Sequence, residues 1–246
     1  MRLALGWALG ATALTIATTA TAGGPALTGF QAFAARGELL EVRKPLFMDG
    51  KLRVGSAVGM VKRRAQGRTQ TIGDGSVAFS ETQRFGRTTF EVTGAEVGGK
   101  LSGVCGYDRS EAGVAYGQAT ISQPVDALRM RCDFQRDGKP IGHLLLGAPL
   151  DPPRRFQPTA RTGEVVVGET RLALRSAHEM GKGGVATADP IGYWLDDAQG
   201  LPVAAVDTNG LTRVRLALPR DPAQRDAALV AGIAIATFWD PGDTDD

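Results

Sequence analysis

The chain has 246 residues, with 28 Lys and Arg against 26 Asp and Glu, two His and two Cys. A formal net charge of +2 excludes a partner chosen by bulk electrostatics, and a hydrophobic content of 43% is ordinary for a soluble protein. This length, with 33 Gly and 13 Pro spread throughout, provides one sizeable core but leaves little room for long helices.

The amino terminus reads as a secretory leader. Arg2 supplies the positive start, and Leu3, Leu5, Trp7, Leu9, Leu14 and Ile16 belong to a stretch without charge that runs through Ala22. Ala20 and Ala22 present the small side chains that a signal peptidase requires. Cleavage is expected after Ala22, giving a signal peptide at 1–22 and a single β-rich globular domain at 23–246. A retained anchor is the competing reading. The Thr- and Ala-rich second half of the stretch and the helix-ending Gly23, Gly24 and Pro25 count against it. Removing the leader leaves 27 basic and 26 acidic residues, because Arg2 is its only charge. The expected location is a periplasm or the exterior of a bacterial cell, and the cleaved chain is not expected to be an integral membrane protein.

Strand-like segments follow at 39–42, 52–61, 76–80, 88–93, 114–121, 164–167 and 171–175. Lys62, Arg63 and Arg64, with Arg68 nearby, form the one obvious basic cluster. They are candidates for binding a polyanion or anionic lipid, with a solvated strand end or loop as the plainer reading. Cys105 lies in an alternating run from Leu101 to Tyr107, and Cys132 in another from Arg129 to Gln135. Period two puts each cysteine on the more apolar face of its strand, and packing those faces together would bring the sulfurs within bonding distance. In an exported chain, an even count favours a disulfide, whereas two cysteines without a His pair cannot form a tetrahedral zinc shell.

Asp137 and Gly138 then turn a hairpin into Ile141–Leu146, and the polar residues Asp151 to Arg155 form a long surface loop. Tyr193 to Leu195, Val203 to Val206 and Val214 to Leu218 predict a three-stranded meander with turns near Gly200 and Gly210. Asp221 and Pro222 are the cap and first residue of a helix. From Ala227 to Trp239 almost every residue is apolar, so this helix has no polar face for water and is expected inside the protein. The final acidic residues after Pro241 read as a solvated tail.

No established motif carries chemistry. A Gly-x-Ser-x-Gly elbow, a Ser-x-x-Lys motif and a pair of histidines four apart are all missing. No cofactor or metal is predicted. Of the two histidines, His143 sits in a strand, while His178 precedes the Gly-rich loop at 181–184 and is the candidate acid or base. Tyr193 and Trp194 are candidate ligand-binding aromatics, with core packing as the alternative. Nucleic acid is disfavoured by export and by the lack of aromatic residues among the basic ones.

The order of elements from Ile191 to Trp239, an antiparallel meander feeding an apolar helix after Pro222, resembles the end of tubby-like domains, including the LURP-one and scramblase-like proteins. The resemblance implies a closed barrel enclosing the helix. It carries over no ligand residue.

These readings combine into a mainly β fold, an antiparallel β-barrel or sandwich-like domain with a buried hydrophobic C-terminal α-helix. The expected function is that of an exported, noncatalytic envelope or secreted protein that binds an envelope partner, a lipid or a small ligand. The alternative is an exported hydrolase using His178 with an unidentified carboxylate.

Overall fold

A computed structural model describes residues 27–46, 49–74, 77–116, 119–148, 160–181, 186–187 and 189–238. The leader, the 151–155 loop, Trp239, the acidic tail and most of the Gly-rich loop lie outside these residues.

Alternating apolar residues separated by turn signals specify strands, and twelve of them form a closed antiparallel barrel in which each strand pairs with its neighbour in sequence. The barrel begins with β1 (Glu38–Arg43), β2 (Gly50–Val54), β3 (Ala57–Asp74) and β4 (Val77–Gly94). It continues through β5 (Gly99–Tyr116), β6 (Ala119–Arg136), β7 (Lys139–Gly147), β8 (Thr162–Val167) and β9 (Thr170–Ala177). The predicted meander supplies β10 (Gly192–Asp196), β11 (Pro202–Asp207) and β12 (Arg213–Leu218), and β12 closes the wall on β1 along the full length of both.

Inside this wall lies the carboxy-terminal helix α2 (Pro222–Thr237), whose Asp221 cap accepts a hydrogen bond from the Gln224 backbone N–H at 2.9 Å. Every residue from 227 to 237 is buried, so all sides of the helix are covered. It shares one core with inward residues such as Val42, Val92, Leu144, Leu174 and Leu216. Burying Leu229 and Ile233 contributes roughly 1.5–3 kcal/mol apiece.

Both ends of the helix are tied to the wall. Arg225 makes a two-pronged contact with Glu38, and Arg136 makes another with Asp226. At the far end, the Arg63 side chain donates to the Thr237 carbonyl at 2.9 Å, which places a cation at the negative end of the helix dipole. The helix stops before the predicted Trp239, because Phe238 turns into extended backbone and packs its ring edge-on against Tyr107.

A smaller cluster lies outside the wall. Helix α1 (Phe30–Ala34) and Leu27 cover Ile191, Ala205 and Ala217, with Trp194 and Phe33 at its margin.

The bridge between Cys105 and Cys132 is present. Its cysteines stand directly opposite each other on the adjacent strands β5 and β6, with Cα atoms 3.9 Å apart, instead of joining two packed faces. The sequence fixes their inward direction but not which strand lies beside which.

Two expected strands prove to be hairpins. Residues 52–61 are divided by a turn at Gly55, whose φ of +57° suits glycine, and the 114–121 segment spans the end of β5 and the start of β6.

Candidate binding surface

Strands β3 to β6 are each 18 residues long, whereas β2 and β10 have only five. The excess length leaves the barrel. β2 pairs with β3 only through Val61, and β7 pairs with β6 only from Arg129 onward. Beyond those points, the four strands continue as an antiparallel sheet with no described strand paired at either edge, an arm standing on the barrel rim.

Alternation gives this arm two faces. Phe90, Val92 and Leu101 point into the barrel, so the odd-numbered residues of β4 and the even-numbered residues of β3 and β5 form the outer face. At the far end of that face, Ile72, Phe79 and Val114 occupy one cross-strand row, with Val77 and Tyr116 in the next. All five are exposed: Ile72 by 77%, Phe79 by 59% and Tyr116 by 73%. Large apolar groups gathered on a surface in this way remain in contact with water, and patches of this kind mark sites of association.

Behind the tip, the same face carries Arg68, Arg64, Lys62 and Arg87, all exposed. The basic cluster therefore divides by strand period. Lys62 and Arg64 face outward, and Arg64 contacts Asp49 at 3.1 Å. Arg63 faces inward and is 3% exposed, so this member of the expected solvated cluster instead caps α2. Its burial lowers the guanidinium pKa from the ordinary value. The Asp49 carboxyl is held below its usual range, first by the Arg63 backbone N–H and then by the Arg64 side chain.

His178 lies elsewhere. The ring accepts from the Ser176 hydroxyl at Nε2 over 2.9 Å, while Nδ1 donates to the Thr187 carbonyl over 3.0 Å. Ser176 Oγ in turn accepts from the Arg161 backbone N–H at 2.8 Å. In a catalytic triad, a carboxylate would stand where the Thr187 carbonyl stands. His178 and Trp194 line the same cavity of about 390 Å³ beside Arg175 and Thr28, so two sequence candidates meet there. Tyr193 points the other way, into the barrel, where its hydroxyl lies 3.3 Å from the Arg161 guanidinium.

A larger cavity of about 670 Å³ opens where the arm leaves the barrel, lined by Tyr107, Met130, Leu146, Gly86 and Gly163. Among the described residues, no cluster of His, Cys, Asp and Glu is arranged to hold a metal ion. No described helix is long and apolar enough to cross a membrane.

Sequence reasoning missed the arm. Along the arm β4 alternates exposed with half-buried residues, but its half-buried side is built from Ala78, Ser80, Thr82, Arg84 and Gly86, so it lacks the alternation of apolar and polar residues by which half-buried strands are recognised. The available signal is the cluster of Ile72, Val77, Phe79, Val114 and Tyr116 at the far ends of the paired strands.

Fold and site together define a closed antiparallel barrel with an enclosed helix and a projecting four-stranded sheet. No family model, curated protein or solved structure matches the chain.

Proposed function

We propose that this chain is an exported, noncatalytic binding protein of the bacterial envelope or exterior, and that its arm is the surface that contacts a partner protein. The observation carrying the proposal is the exposed apolar row of Ile72, Phe79 and Val114 at the far end of the arm, beyond the arm residues Arg63 and Tyr107 that pack into the barrel. Basic residues behind the row would also suit anionic lipid. Against lipid, burying an open-edged sheet in hydrocarbon would leave backbone N–H and C=O groups without partners at several kcal/mol apiece. A protein partner covers the apolar row without that cost. Descent from tubby-like domains is part of the proposal, supported only by the helix-in-barrel arrangement.

Replacing Phe79 and Tyr116 together with Glu tests this reading. Both are solvent-exposed, so the barrel should keep its unfolding midpoint. In extracts of the native compartment, the wild-type chain should sediment with a heterologous protein and the double variant should not. Equal sedimentation of the two would overturn the proposal.

The Ser176–His178 hydrogen bond favours a second reading, the hydrolase, with the Ser176 hydroxyl as nucleophile and His178 as its base. Loss of activity on an ester panel in a folded His178→Ala variant would support it. A wild-type chain inactive on the whole panel would end it.

A further inference from the structure

The arm has two open edges, and they differ in kind. Along β6, pairing with β5 is irregular at two successive points around Ser110, and Pro124 contributes no backbone N–H. Bulges and proline are the usual means of making an edge unsuitable for another strand. The β3 edge has no such protection. Its pairing with β4 runs from Val58 to Asp74 without a register shift, and every residue from Arg64 to Gly73 is exposed.

The direction of the free backbone groups follows from one contact. The Arg63 backbone N–H points away from β4, to the Asp49 carboxylate at 2.8 Å. In an extended strand, the N–H and C=O of alternate residues point the same way. Ala65, Gly67, Thr69, Thr71 and Gly73 therefore aim both groups outward from the edge, over a length of ~30 Å. No described residue pairs with them.

We propose that the β3 edge pairs with the β3 edge of a second copy of this chain, antiparallel about a two-fold axis at Thr69, forming one continuous eight-stranded sheet. The side chains are compatible with this register, and the length of the free edge selects it. With Thr69 opposite its own counterpart, Arg68 meets Gln70, Gln66 meets Ile72, Gly67 meets Thr71, and Arg64 falls opposite the acidic residue Asp74. No like charges oppose each other. Moving the axis by one residue to Arg68 would set two guanidiniums face to face, which is destabilising across a strand pair.

The length also fits. Pairing through Arg64 brings the tip of each arm to the rim of the other barrel, so the paired segment uses the whole free edge. The two-fold axis closes the assembly because each copy spends the unprotected edge of its arm, and the blunted β6 edges end the sheet. Both apolar tip rows then lie on the same face of the joined sheet. This inference is independent of what the tip binds.

Sedimentation velocity of the purified mature chain, at concentrations up to about 100 μM, tests it (a range in which specific interfaces of modest affinity are populated). The wild type should be a dimer. Thr69→Pro removes an outward-facing N–H and leaves the β4 ladder intact, so it should be monomeric with an unchanged circular dichroism spectrum. Thr69→Ala keeps the backbone donor and should remain dimeric. Hydrogen exchange provides a measure without substitution: the amides of Ala65, Gly67, Thr69, Thr71 and Gly73 should exchange more slowly as concentration rises. A monomeric wild type, or exchange at these amides independent of concentration, would overturn the proposal. The Phe79→Glu, Tyr116→Glu variant should still dimerise, which separates failure of this inference from failure of the partner-binding reading.

Discussion

Gly103 on β5 stands opposite both Phe90 on β4 and Phe134 on β6. A Cβ at this position would lie 2.4 Å from the Phe90 ring, and both rings are buried, so neither has space into which to withdraw. Gly103→Ala is therefore expected to lower stability by about 1–3 kcal/mol through overpacking, measured by denaturant unfolding. An ion pair at the other end of the barrel makes the fold sensitive to acid. Glu38 accepts hydrogen bonds from Arg225, and its pKa is lowered chiefly by that contact. The unfolded chain then binds the proton more readily than the folded one, so this contribution is present above the ordinary Glu pKa of about 4.3 and disappears as pH falls through the folded value. Unfolding midpoints measured from neutral to acid pH should decline less steeply in Glu38→Gln than in the wild type.

At the scale of elements, α2 is both the most legible part of the sequence and the part on which the barrel depends most. Its uninterrupted apolar run from Ala227 has no polar face, and Asp221 with Pro222 marks the start, so burial and starting point follow directly from residue chemistry. Removing residues from 222 onward would empty the interior of a closed wall. Calorimetry of that truncated chain should show no cooperative transition, and a sharp transition near the wild-type temperature would refute the helix's role.

Hairpins with Gly turns were legible for the same local reason. Asp137 with φ of +49° and Gly138 with φ of +77° form the turn between β6 and β7, as the Asp-Gly pair predicts. The four long strands were not legible, since the half-buried side of β4 is carried by Ala78, Ser80, Thr82 and Arg84, and apolar and polar residues therefore do not alternate along it. Cross-strand pairing of the cysteines was hidden too, because register is a property of two strands and not of either alone. Loss of this bridge in Cys105→Ser, Cys132→Ser should lower stability by roughly 3–4 kcal/mol through the freed loop, read from denaturant midpoints.

At the scale of the whole molecule, apolar side chains serve two separate purposes. In the barrel, they are sealed around α2. On the arm, Ile72, Phe79 and Tyr116 remain in water, where they contribute little to folding. The candidate site was only partly readable from sequence. His178 and Trp194 were singled out and do share a cavity, whereas Lys62, Arg63 and Arg64 were taken as one cluster and the strand period separates them. The arm tip could not be found by a search for reactive residues, since the side chains that mark it, Ile72, Val77, Phe79 and Val114, are apolar. Its meaning comes from exposure, which depends on strand length and pairing. Site-specific photo-crosslinking in the native compartment tests the claim for the tip most directly, with a probe at position 79 compared with one at Leu39, an exposed residue on the outer face of β1. The arm reading predicts a discrete protein adduct from position 79 that is missing from position 39. Adducts of equal yield and pattern at the two positions, or adducts to lipid alone from position 79, would contradict it.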